Sequence, residues 1–434
     1  MKFVTAAVTA LALAAPAAAD WPEFGYDAAR HNAAPAGISA VKVGKLHRRT
    51  VDLDGTVDSS PISVGGTIYV TTTYGRTEAI DAASGRVRWR YTPPTYASYA
   101  GSARITNMTP IADPDHSAIY AGAPDGRIVK LEIRTGKVLW STSITRDPTH
   151  EKLTSPLNFS HGLVIATTGG YIGDAPPYQG HVVTLRSANG HVVHAWNSLC
   201  ADRHAIIQPS TCPASDSAIW ARSGAVVMPG SGNLLVATGN GPYDGKTNFG
   251  DSVIMLSPDA WRVLGHWTPP NQAELNTSDL DLGSTAPALL ANGSFVQGGK
   301  DGLLRLISRG LKTLQIVATP GSTDLFSAPA VWKGTWVFVA SGSGTDAWVL
   351  RGGRLHKAWS NGNDGTSPVV AGGLLYAQGN GVIRIYQPAT GRQVAELPCG
   401  PVHWQSPIVD GSRVIAVEGN ANDHRTSGVL DIYG

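Results

Sequence analysis

The sequence predicts an all-β chain: an eight-bladed β-propeller of four-stranded antiparallel blades, its ring closed by an N-terminal strand. Three observations carry that expectation: a turn-rich composition, a repeat that ends in Trp, and a recurring Pro that opens a strand. Of 434 residues, 50 are Gly, 28 are Pro and only 15% are charged. A helical array would need more Glu, Lys and Arg, and a disordered chain would pair few apolar residues with a high net charge. Here the apolar share is 42% and the formal net charge is +2. Short strands joined by Gly and Pro turns produce this balance. The near-neutral charge gives no electrostatic footprint for nucleic acid or for an anionic membrane surface.

From the N-terminus, Met1-Lys2-Phe3-Val4, an Ala/Leu run and Ala17-Ala18-Ala19 read as a cleavable secretory signal cut between Ala19 and Asp20. Residues 1–19 are expected to be removed, leaving 20–434 as one propeller domain in the periplasm or outside the cell. No Cys beside the cut suits a lipid anchor, and no transmembrane segment follows. The repeats then begin. Ile68-Tyr69-Val70 leads to Asp81-Ala82-Ala83-Ser84-Gly85-Arg86-Val87-Arg88-Trp89, and Ile119-Tyr120-Ala121-Gly122 leads to Ile133-Arg134-Thr135-Gly136-Lys137-Val138-Leu139-Trp140. Weaker copies end at Trp196, Trp267, Trp359 and Leu397. The turn Gly supplies positive φ, and the terminal Trp is expected to wedge between neighbouring units.

A small residue followed by Pro precedes each unit: Ser60-Pro61, Thr109-Pro110, Ser155-Pro156, Ala286-Pro287, Ala328-Pro329, Ser367-Pro368 and Ser406-Pro407. Ser223-Gly224-Ala225-Val226 stands where an eighth would fall. Repeats of roughly 40 to 50 residues with four strands are propeller blades. The last unit, Val414 to Tyr433, is too short for four strands, and Leu46 to Leu53 can supply the missing one. That complementarity favours a closed ring over an open β-solenoid. Cys200 and Cys212 flank a polar stretch and are expected to form a local disulfide holding an insertion. Cys399 is left over as a buried, inert thiol.

The Ala/Ser-x-Thr/Ser-Gly-Lys/Arg-x-x-Trp repeats, with the opening Trp21-Pro22-Glu23-Phe24-Gly25-Tyr26-Asp27-Ala28-Ala29-Arg30, resemble the pyrroloquinoline quinone (PQQ) type, or quinoprotein alcohol dehydrogenase-like, eight-bladed propellers. The resemblance covers essentially the whole mature chain. That superfamily includes quinone-dependent alcohol dehydrogenases, polyvinyl alcohol dehydrogenases, the cofactor-free assembly lipoprotein BamB and the cofactor-free tetrathionate hydrolase. It therefore implies a fold and leaves function to the site.

Several segments could carry chemistry at the mouth of the central channel. Thr238-Gly239-Asn240-Gly241-Pro242-Tyr243 is similar to the family segment whose Asn ligates calcium, so Asn240 is implied as a Ca²⁺ ligand, with Asp174 as a shifted second one. An Asn in a Gly-rich turn also needs no ligand. Asp279-Leu280-Asp281 stands where the family places its catalytic Asp; on an extended chain the two carboxylates would share a face and a cation or proton. Asp279 is preferred as base, and solvated loop carboxylates are the alternative. Lys300, in Gly298-Gly299-Lys300-Asp301-Gly302, resembles the cation that contacts the quinone oxygens. Trp220, Arg222, His403 and Trp404 precede channel-side strands and could line a planar cofactor.

The departures are as informative. No two cysteines are adjacent, Gly169-Gly170 is not followed by the family's Glu, and Tyr243 replaces a Trp. Three functions stay open: an alcohol-oxidising enzyme using PQQ and Ca²⁺, a BamB-type scaffold for exported protein partners, and a cofactor-free hydrolase of the tetrathionate hydrolase type with an Asp as base.

Overall fold

Each repeat folds as a four-stranded antiparallel sheet in the computed structural model, which describes residues 20–434. The expected signal, 1–19, lies outside the described residues. Blade 1 comprises Ile62–Val64, Thr67–Thr71, Thr77–Asp81 and Val87–Tyr91, paired in sequence order from the channel outward. Every strand-opening Pro but one is followed at once by an innermost strand: Ile62–Val64, Ile111–Ala112, Ala288–Leu289, Ala330–Trp332, Val369–Ala371 and Ile408–Asp410. In blade 3 one residue intervenes before Asn158–Ser160, and Val226–Val227 opens blade 4 without a Pro. Pro suits this place because it lacks the N–H that a ladder interior would need. No helix among the described residues is long and apolar enough to cross a membrane.

The ring closes as the sequence predicts. Arg48–Leu53 is the outermost strand of blade 8, antiparallel to Gly428–Tyr433, with Arg48 opposite Tyr433 and Leu53 opposite Gly428. Arg48 fixes that register with bonds to Asp431 (2.9 Å) and Glu418 (2.7 Å). The core is a chain of clusters between blades, as radial packing requires: Ile62, Trp89 and Ile119 join blades 1 and 2, and Phe338, Leu375 and Tyr386 join blades 6 and 7. The Trp wedge is explicit. The indoles of Trp89, Trp140 and Trp359 lie over Gly136, Gly190 and Gly391 of the following blade, where a Cβ would come within 2.5, 2.6 and 2.6 Å of each ring. Their N–H groups donate to Ile133, Ser187 and Pro388 carbonyls. The turn Gly thus serves twice, for positive φ and for the face that receives the Trp.

The segment 20–34 closes one end of the channel. Its backbone bonds to Ser63, Ala112, Val227, Val331 and Val370 on the innermost strands of blades 1, 2, 4, 6 and 7. Arg30, 1% exposed, is its hub: it pairs with Glu23 (2.8 Å) and donates to the carbonyls of Phe24, Leu157 and Ser223. These contacts fall about two residues past each strand-opening Pro, so the opposite end of the inner strands is the open mouth.

Candidate functional site

Three residues before a strand-opening Pro the chain enters the inner strand, and at Phe326, Trp404 and Arg222 that position lines the mouth cavity. That offset gives Asp58, Asn107, Leu153, Ser284, Phe326, Gly365 and Trp404, and counting from Ala225 in the blade without Pro it gives Arg222. Blades 4 and 8 face each other across the ring, yet the Arg222 guanidinium stands 4.3 Å from the Trp404 ring. Trp220, Phe326 and Trp404 complete an aromatic wall with centroids 5.9 to 6.3 Å apart. Beside it opens a cavity of ≈ 600 Å³, within the roughly 300–1,000 Å³ of small-molecule sites. Cys200 and Cys212 are disulfide-bonded and tie down the inserted loop leading to Trp220 and Arg222. Cys399 is buried, and burial pushes its thiol up to about 12, so it is inert at neutral pH.

On the wall formed by blades 4 and 5, Asp279, Asp281 and Lys300 meet. The helix Gln272–Thr277 ends just before Asp279, whose φ is +53°, and a 3-10 turn, Leu282–Ser284, begins after Asp281. The chain there is not extended, which corrects the expected geometry, but both carboxylates still reach one cation. Lys300 Nζ lies 2.6 Å from Asp281 Oδ2 and 2.9 Å from Asp279 Oδ1, and 5.7 Å from the Trp220 ring centre. The Asn240 N–H donates to Asp281 Oδ1 (2.7 Å), over Gly239, where a Cβ would sit 2.2 Å from that oxygen. Asp281 is buried, and burial raises its pKa against the pull of Lys300. Burial opposes the Lys300 ammonium too, but Asp281 and Asp279 outweigh it and raise its pKa. Asp279 has a side chain 69% exposed, so the shielding a base needs belongs to Asp281 rather than to the preferred Asp279. Behind Asp281, burial pushes Asp251 up to about 7.

Asn240 donates through Nδ2 to Asp279 (2.8 Å), and its buried Oδ1 has no partner. Asp174 lies on the cavity lip, exposed, accepting from the Tyr178 hydroxyl (2.8 Å). Among the described residues no three His, Cys, Asp or Glu side chains converge as a metal cage. Lys300 Nζ already takes the place between Asp279 and Asp281 that a metal cation would occupy, so the residues present do not fit a calcium ion there. They do fit a planar quinone: an aromatic wall, a neighbouring ammonium and sufficient volume. His403 stacks on Trp404 (3.9 Å, 20°), and its Nδ1 is 2.7 Å from Asp58 Oδ2, so it buttresses that ring.

Sequence reasoning missed Lys152, Asp58, Phe326, Tyr178 and Asp216. Asp58 and Phe326 share the offset of Trp404 and were readable from it. Lys152 had no such signal, because it lies on a fifth strand of blade 3, Glu151–Leu153, outside the repeat.

A family model described as outer membrane protein assembly factor BamB matches residues 44–198. A quinohemoprotein alcohol dehydrogenase from Comamonas testosteroni is 25% identical over 305 residues, 63% of this chain and 41% of that protein. Matches to the first curated relatives cover only 17 to 34% of their length. The crystal structure of the Comamonas testosteroni enzyme aligns with a TM-score of 0.74 at 17% identity, covering 95% of this chain and 80% of that one. BamB from Moraxella catarrhalis aligns with a TM-score of 0.60 at 15% identity, covering 89% and 99%.

Proposed function

We propose that this chain, a PQQ-type propeller by its repeats and its fold, is an exported oxidoreductase that holds a quinone in the mouth cavity and oxidises a small alcohol there. The observation that carries the reading is the buried Asp281 carboxylate bonded to Lys300 beside the Trp220 ring. A bound quinone would supply the two-electron acceptor. Trp220 offers it a flat apolar face, and the Lys300 ammonium stands where charge on a quinone oxygen would be stabilised. Asp281 Oδ2 would take the proton from the alcohol hydroxyl; its raised pKa makes it a better base than an exposed carboxylate. Trp404, braced by His403 and Asp58, continues the same aromatic wall.

The test is dye-linked alcohol oxidation by the purified chain with added PQQ, in wild type and in Asp281→Asn and Asp279→Asn. Activity lost with Asp281→Asn and largely kept with Asp279→Asn supports the assignment; equal activity in all three contradicts it. The BamB-type match over residues 44–198 favours a second reading, a scaffold for exported proteins. In that case no quinone binds and envelope proteins are retained by the intact mouth.

A further inference from the structure

The cavity holds two cations that the reading above does not use. Lys152 is 7% exposed and Arg222 4%, and both line the cavity. Lys152 alternates with Glu151 and Leu153 on a short strand, and Glu151 is clamped by a buried bond to His181 (2.7 Å), so the Lys side chain is turned to the opposite side by a fixed backbone. Its ammonium has no carboxylate within ion-pair distance. Arg222 makes two long bonds, to the carbonyls of Trp220 (3.3 Å) and Thr154 (3.5 Å), and its buried Nε has no partner. The nearest acid, Asp58, spends one oxygen on His403 and the Ala421 N–H, and its other oxygen is unpartnered. The cavity's remaining acids are committed elsewhere or stand at its lip: Asp279 and Asp281 to Lys300, Asp174 to Tyr178, and Asp216 beside Asp174.

We propose that Lys152 and Arg222 form an oxyanion subsite that binds a carboxylate of the ligand held against the Trp220–Phe326–Trp404 wall. Two like charges buried side by side repel each other and lose hydration; a ligand carboxylate between them reverses both effects. Burial and the Arg222 charge bring Lys152 down to about 7, and burial brings Arg222 down to about 10, as expected for cations lacking their counter-charge. The subsite shares the cavity of the redox reading but does not depend on a quinone being bound. The carboxylate can belong to the cofactor or to the substrate.

The experiment uses the purified chain without quinone and reads tryptophan fluorescence. The probes are pyridine-2,6-dicarboxylate, its dimethyl ester and sulfate. The diacid is expected to bind at least tenfold more tightly than the diester, and Lys152→Met to weaken the diacid about tenfold while leaving the diester unchanged, which also shows that the cavity is intact. Lys152→Arg restores diacid binding. In the wild type the diacid affinity falls above about pH 7 as Lys152 loses its proton while Arg222 stays charged; in Lys152→Arg it does not. A second titration with PQQ assigns the source: weakening by Lys152→Met places a cofactor carboxylate on the subsite, and unchanged PQQ binding places a substrate carboxylate there. Equal binding of diacid and diester, or diacid binding indifferent to Lys152→Met, overturns the proposal. Failure of PQQ to bind removes the redox reading alone.

Discussion

The two ends of the central channel each bury an arginine, and they treat it differently. At the plugged end Arg30 is paired with Glu23 and bonded to three carbonyls, so its charge is part of the fold. At the open end Arg222 has an unpartnered Nε and Lys152 beside it has no counter-ion. The contrast is one of buried cations and does not extend to amides, since Asn32 in the plug and Asn240 at the mouth each leave a buried oxygen without a partner. A buried polar group that is satisfied holds structure; one left unsatisfied in a cavity awaits a ligand.

Substitutions at the two ends should therefore separate. The largest effect is expected for Asp281→Asn, which removes the base: kcat for alcohol oxidation should fall about 100- to 10,000-fold, with little change in the melting curve. Its wild-type rate should rise with pH through a pKa above the ordinary carboxylate range, since Asp281 must be ionised to act. At the plugged end, Arg30→Met strands Glu23 and three carbonyls and should cost about 3–5 kcal/mol of stability, read by denaturant unfolding. Replacing Cys200 and Cys212 by Ser should cost up to about 3 kcal/mol and loosen the loop that presents Trp220 and Arg222, weakening ligand binding as well.

The smallest effect has the opposite sign. Lys152→Met removes an uncompensated charge and should stabilise the ligand-free chain by about 1–2 kcal/mol at pH 7. Lys152 has its pKa lowered from 10.5 to about 7 on folding, so the unfolded chain binds the extra proton between those values. Wild-type stability should therefore gain on the variant as pH rises from 7 to 10.5. Thermal melts at pH 7 and pH 9.5 measure that difference. A stabilising Arg30→Met or a destabilising Lys152→Met would dissolve the contrast between the ends.

The ring was legible because it is repetitive: each strand-opening Pro and each Gly–Trp pair states the same local requirement, and the short final repeat calls for the strand at Arg48–Leu53. The site was legible only where the resemblance or the repeat marks it. Asp281, Lys300, Trp220 and Trp404 do come together. The plug's role is not legible in Trp21 to Arg30 alone, because its partners, Ser63 to Val370, are strung along the chain and meet only in the closed ring. Lys152 was invisible for a related reason: its strand breaks the repeat, and nothing local marks a lysine that lacks a counter-charge. The shared-face argument for Asp279 and Asp281 assumed an extended chain, whereas a helix end and a left-handed residue bring them to Lys300.

The central claim, that the mouth is a quinone site, is tested most directly by titrating PQQ into the purified chain and following quenching of its tryptophan fluorescence. The account predicts saturable binding at micromolar concentration that weakens at least tenfold in Trp220→Ala and in Lys300→Met. A folded protein that shows no saturable quenching, or binding indifferent to both substitutions, would contradict it.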